Sequence, residues 1–127
     1  MDQLRELPDA RQVPGESRRR WFNSPDLDLI VWVDDGGNPT GFQLCYDKLR
    51  SERALTWHAD RGYNHAAVDD GEAAPGKHKS TPILVADGLF QSNRVHAAFL
   101  EASADVPEDI RQFVSDALLG YPEAEGL

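Results

Sequence analysis

The chain has 127 residues with 13 basic against 22 acidic side chains, a formal net charge of −9, and 40% hydrophobic and 28% charged residues. That composition is of a folded globular domain and not of a disordered chain, and its acidic balance is repelled by a phosphate backbone, so nucleic acid is not an expected partner. The longest apolar run, Leu29–Val33, is strand-length and far short of the ~20 residues of a membrane helix.

Residues 1–20 read as a flexible tail, because they contain Pro8, Pro14 and Gly15, little apolar material and no sustained period. The start lacks a basic segment leading into an apolar core, so no signal peptide is read. Charge is uneven: residues 1–20 sum to +1, residues 21–86 to −4 and residues 87–127 to −6. Arg18, Arg19 and Arg20 precede Trp21 and Phe22. Such a cluster can hold a phosphate or an acidic partner. The simpler reading is a solvated tail that complements the acidic C-terminal half.

Regular structure is expected from Trp21 onward. Leu27–Val33 (LDLIVWV) is rich in β-branched and aromatic residues between NSP and DDGGNPTG, and reads as a strand. DDGGNP is a turn by residue type, its glycines supplying positive φ. Gly41–Asp47 alternates Phe42, Leu44 and Tyr46 against Gln43, Cys45 and Asp47, a second strand. Glu52–His58 alternates Leu55 and Trp57 against Ala54, Thr56 and His58, a third. A long connection from His58 to Lys79 follows, and then Thr81–Asp87 (TPILVAD) reads as a fourth strand.

The remainder is helical. Ser92 is expected to cap a helix with Val95, Phe99 and Ala102 on one stripe. In the next helix Asp105 and Glu108 resemble a capping box with Pro107 in the first turn, and Ile110, Phe113, Val114, Ala117 and Leu118 recur at helical spacing. Gly120 and Pro122 stop it. Strands followed by helices predict an α+β fold: an antiparallel sheet of about four strands with two C-terminal helices packed on one face. The domain is expected over residues 21–120, with 121–127 a C-terminal tail.

A short link, DKLRSE, joins the second and third strands as antiparallel neighbours, with Phe42 near Trp57, Leu44 near Leu55 and Cys45 opposite Ala54. The opposite face then shows Gln43, Cys45, Ala54, Thr56 and His58, a half-polar surface of the kind antiparallel sheets present to solvent. Core packing is expected for Trp32. The first hairpin loop is too long to determine register, however, and the alternative places Ile30 and Trp32 beside Gln43 and Cys45 as a binding surface or dimer contact.

Chemistry-bearing residues concentrate in the connection. His58, His65 and His78 fall among Asp69, Asp70 and Glu72, which makes these six a candidate metal site. Their spacings of seven and thirteen residues lack the short-range pairs that structural zinc sites use, and Asp69–Glu72 lacks the alternating ligand pattern of a calcium loop. The competing reading is a solvated polar connection, and no cofactor is assigned. Gly71–His78 (GEAAPGKH) matches the phosphate-loop pattern up to its final hydroxyl residue. It has no strand before it and a proline-bearing strand pattern after it, so nucleotide hydrolysis is rejected.

Cys45 would need a base beside it to act as a nucleophile. In the register above His58 lies four residues along the partner strand from Ala54, on the order of 13 Å away, and no catalytic residue is assigned. With a single cysteine there can be no internal disulfide, and the expected location is cytoplasmic. Asp34 and Asp35 read as turn residues, His96 as a hydrogen-bonded residue of its helix, and Asn38 is no glycosylation site because Pro39 follows it.

The segments RRWF, DLDLIVWV, GFQLCYDK, ERALTWH, VDDGE and TPILVADG, together spanning Arg19 to Phe90, resemble those of a family of small, uncharacterised bacterial proteins. The resemblance implies a small bacterial α+β protein and brings no activity or residue role with it.

The functional expectation is a non-catalytic binding or interaction module for a protein or small-molecule partner. Its candidate surface is Gln43, Cys45, Thr56, His58, Tyr63 and His65, with the connection of residues 58–79 beside it, since loops longer than ~12–15 residues are commonly functional. The alternative is a small metal-dependent or acid–base hydrolase built on the histidines and acids of that connection. A homodimer is compatible with either reading.

Overall fold

The computed structural model describes residues 2–48, 52–69, 83–86 and 91–121. Its strands are β1 (Arg5–Glu6), β2 (Arg18–Asn23), β3 (Asp28–Val33), β4 (Pro39–Tyr46), β5 (Arg53–His58), β6 (Gly62–Asp69) and β7 (Ile83–Ala86), and its helices are α1 (Ser92–Ala102) and α2 (Glu108–Leu119). The strands form one antiparallel sheet in sequential order, each pairing with the next. The α+β class and the C-terminal helix pair are as the sequence predicts. Among the described residues the strand count is larger: seven in place of about four, six of them four residues or longer.

The extra strands come from segments whose pattern is weak. β2 is Arg-rich and pairs with β3 from Arg18↔Val33 to Asn23↔Asp28, so the expected tail of residues 1–20 holds parts of the sheet. Before it, Leu4 is fully buried in the core. The Leu4 backbone N–H donates to the Ala102 carbonyl at 2.9 Å. Gln3 clasps the helix connection, donating to the Glu101 carbonyl at 2.8 Å and accepting from the Ala104 N–H at 3.0 Å. The arginine cluster is engaged as well. Arg20 forms a two-pronged pair with Glu6 at 2.7 and 2.8 Å, which holds the Glu6 carboxyl below its ordinary value. Arg19 donates to the Arg11 carbonyl at 3.0 and 2.7 Å.

β6 replaces the first part of the expected connection. A tight turn returns the chain at His58↔Gly62, where Gly62 takes φ +82, a conformation that favours glycine. Residues 70–82 lie outside the described residues.

One face of the sheet carries the core. Phe22, Leu29, Val31, Val33, Phe42, Leu44, Tyr46 and Leu55 meet Val95, Phe99 and Ala102 of α1 and Ile110, Val114, Ala117 and Leu118 of α2. The β4–β5 register is the expected one, with Phe42↔Trp57, Leu44↔Leu55 and Cys45↔Ala54. The helix stripes also fall where their spacing puts them, but the caps differ. Ser92 lies inside α1, whose cap is Gln91, and α2 is capped by Pro107 without a side-chain bond, so Asp105 and Glu108 form no capping box. His96 hydrogen-bonds Ser115 at 2.8 Å and ties the helices together.

Candidate functional site

The pairing registers stack the second face of the sheet into rows that cross the strands. One row is Arg19, Trp32, Gly41, His58 and Gly62; the next is Trp21, Ile30, Gln43, Thr56 and Asn64; the third is Asn23, Asp28, Cys45, Ala54 and Ala66. Neither helix packs on this face, since the buried side chains of both join the cluster on the other side.

Trp32 therefore lies outside the helix-covered core, against expectation. β3 is apolar on both sides, so its composition does not choose a face. Pairing of Val31 with Phe42 and Leu29 with Leu44 chooses it, and turns Ile30 and Trp32 to the second face. There Trp32 meets His58, with ring centroids 4.8 Å apart and planes tilted by 38°. Gly41, on the strand between them, makes that contact possible. A Cβ at residue 41 would lie 2.5 Å from His58 Nδ1 and 2.8 Å from the Trp57 carbonyl oxygen. A glycine in a strand often marks such close approach.

The Trp32–His58 pair forms one wall of an open groove of about 720 Å³, completed by Thr40, Asp60, Arg61 and residues 15–17. This volume is in the range of small-molecule sites, roughly 300–1,000 Å³. The segment that carries residues 15–17 is anchored at its base: the Gln12 amide accepts from the Arg19 N–H and donates to the Arg19 carbonyl, both at 2.8 Å, as a neighbouring strand would. A second groove of about 610 Å³ lies along the same segment, between residues 12–18 and Val33–Asp35. Burial lowers the His58 pKa, Arg61 lowers it further and Asp60 opposes them. The imidazole is thus neutral at neutral pH, suited to stacking and hydrogen bonding.

Of the six residues expected on the binding surface, Gln43, Cys45, Thr56 and His58 share this face, whereas Tyr63 and His65 do not. Because β6 is a strand, its alternation sends Tyr63 and His65 toward the helices and Asn64 and Ala66 to the second face. Tyr63 donates its hydroxyl to the Ala117 carbonyl at 2.8 Å. His65, only 8% exposed, stacks with Tyr46 and hydrogen-bonds its hydroxyl.

The same alternation separates the candidate metal ligands. His58 and His65 sit on opposite faces of the sheet and cannot share an ion. Asp69 ends β6, paired with Ile83, while Asp70, Glu72 and His78 lie outside the described residues, as does the phosphate-loop-like segment. Among the described residues no three metal-ligating side chains converge.

Cys45 is no activated nucleophile. Burial first, then the charges of Glu52 and Asp28, push its thiol up to about 12, with Lys48 opposing, so the nucleophilic thiolate is essentially absent at neutral pH. Asp28 is itself paired with Lys48 at 3.1 Å. In the central row the Trp21 indole N–H and the Thr56 hydroxyl are buried without a hydrogen-bond partner among the described residues. Asp34 and Asp35 serve the turn, where Asp34 accepts from the Gly36 and Asn38 N–H groups, each at 2.9 Å. Those bonds hold the Asp34 carboxyl below its ordinary value.

Sequence reasoning missed Trp21, Gly41, Arg61 and residues 15–17. The available signal was Gly41, a glycine within a strand pattern flanked in space by aromatic candidates.

These features define an α+β protein whose antiparallel meander carries its helices on one face and a groove on the other. No protein-family model, curated protein or solved structure matches the chain, so no residue role is transferred to it. Among the described residues no helix is long and apolar enough to cross a membrane.

Proposed function

We propose that the chain is a non-catalytic binding module that takes a small molecule on the second face of its sheet, at the groove walled by Trp32 and His58. One observation carries this reading: a tryptophan and a neutral histidine are held against each other over Gly41, outside the helix-covered core, at the edge of a groove of ligand size. Gln43, Cys45 and Thr56 lie on the same face in the adjoining rows, where the Cys45 thiol and the Thr56 hydroxyl are buried. Convergent polar groups around an aromatic floor are what a pre-formed ligand site needs.

A hydrolase built jointly on His58 and His65 is disfavoured by their opposite faces, and the protonated Cys45 gives no nucleophile. A homodimer through the same face is the second reading. It is favoured by the pairing of Asp28 with Lys48 at 3.1 Å, which neutralises the carboxylate of the third row.

The test is mapping by amide and indole NMR shifts with chemically diverse small probes such as phenol, acetamide and imidazole. Shifts should cluster at Trp32, Gly41, His58 and Arg61. Shifts scattered over the surface, or gathered elsewhere, would sink the assignment. Sedimentation over a range of concentrations tests the dimer, and a monomer throughout removes it.

A further inference from the structure

From the groove's chemistry we infer that its ligand is a neutral saccharide, an inference that rests on the binding reading above. Charge does the first sorting. Glu16 and Asp60 line the groove with Arg61 as the guanidinium among them, in a chain of −9. In the lining itself the two carboxylates outnumber the guanidinium and oppose an anion such as a phosphate ester. Arg61, in the same lining, is already a cation and opposes a second one.

Shape sorts the neutral ligands that remain. Trp32 and Ala59 are the apolar side chains of the lining, and the rest is glycine, hydroxyl, imidazole, carboxylate and guanidinium. A flat heterocycle is best held between two apolar walls, which this open trough does not have. A sugar ring needs one aromatic shelf for its C–H face and polar groups around its edge for its hydroxyls. Trp32, which lines the groove with His58 packed beside it, is the side chain suited to be the shelf.

The edge supplies both kinds of hydrogen-bonding group. Carboxylates accept from hydroxyls, a guanidinium offers parallel donors, and the Ser17 hydroxyl does either. Asp60 and Arg61 touch only loosely, at 3.6 Å and with both largely exposed, so either can turn to a ligand. His58, kept neutral by burial, offers a ring nitrogen as acceptor or donor.

The experiment titrates the full chain with maltotriose, cellotriose, xylotriose and triacetylchitotriose, up to about 10 mM, well above half-saturation for a ~1 mM site. Adenine and inorganic phosphate are the comparators, and Trp32 indole and Arg61 amide signals are followed by NMR. At least one triose should give saturable shifts there while the comparators give none. Trp32→Ala should weaken binding about tenfold or more, and Arg61→Ala, an exposed change that spares the fold, about threefold or more.

Two outcomes overturn the inference: no triose moves these signals, or a triose binds as tightly in Trp32→Ala, read at the Arg61 amide, and in Arg61→Ala, read at the Trp32 indole, as in the parent. Adenine or phosphate shifting them in place of the trioses means the ligand class is wrong and the groove assignment stands. Silence to these probes and to the phenol set together means the groove assignment falls too.

Discussion

Gly41→Ala tests the site at its structural root. The new methyl group would sit 2.5 Å from His58 Nδ1 and 2.8 Å from the Trp57 carbonyl oxygen. The first contact can be relieved by swinging the imidazole off Trp32. The second is with backbone and can be relieved only by shifting β4 against β5. Overpacking of this kind typically costs about 1–3 kcal/mol, offset by roughly 0.5–1 kcal/mol because alanine is less flexible than glycine when unfolded. A net loss of about 1 kcal/mol should lower the urea midpoint by ~0.3–1 M for a slope of ~1–3 kcal/mol per M. His58 should also leave its partly buried position, so its pKa should rise toward the ordinary 6.5 when followed by NMR. A variant at least as stable as the parent, with an unchanged His58 titration, would refute the claim that glycine lets the rings meet.

Three other changes probe different parts of the molecule. Leu4→Ala removes a fully buried core side chain and should cost about 2–5 kcal/mol in urea unfolding; no effect would return residues 1–20 to a tail. Cys45, with its thiol pushed up to about 12, should react with a thiol reagent at pH ~8 more than a hundredfold more slowly when native than in urea, and equal rates would contradict its burial. The lowered His58 pKa means that the unfolded chain takes up a proton the folded chain resists. Its stabilising contribution is thus complete above pH 6.5 and is lost as the pH falls from there through the folded-state value. Comparing urea midpoints of the parent and His58→Gln across pH 5–8 checks this, and a parent slope surviving unchanged in the variant would assign it to another group.

The sequence by itself determined what depends on local period and short links. The alternation in β4 and β5 and the link between them settle the pairing of Phe42 with Trp57 and of Cys45 with Ala54. Helical spacing likewise marks Val95, Phe99, Ile110 and Val114 as core. β2 and β6 were not legible because arginine, asparagine and histidine occupy positions where a strand pattern would show apolar residues; their contribution to the sheet comes from neighbouring strands and, at β2, from the buried Leu4 and the Gln12 clasp.

The candidate site was legible in part for the same reason. Gln43, Cys45, Thr56 and His58 lie on strands whose alternation is readable, whereas Tyr63 and His65 lie on β6 and turn the other way. Only the tertiary structure decided which side of β3 faces the helices, and with it the place of Trp32. A strand that is apolar on both sides buries equally well either way round. The choice is made by which side of β4 it must match, and that match brings Trp32, Gly41 and His58 together from three strands.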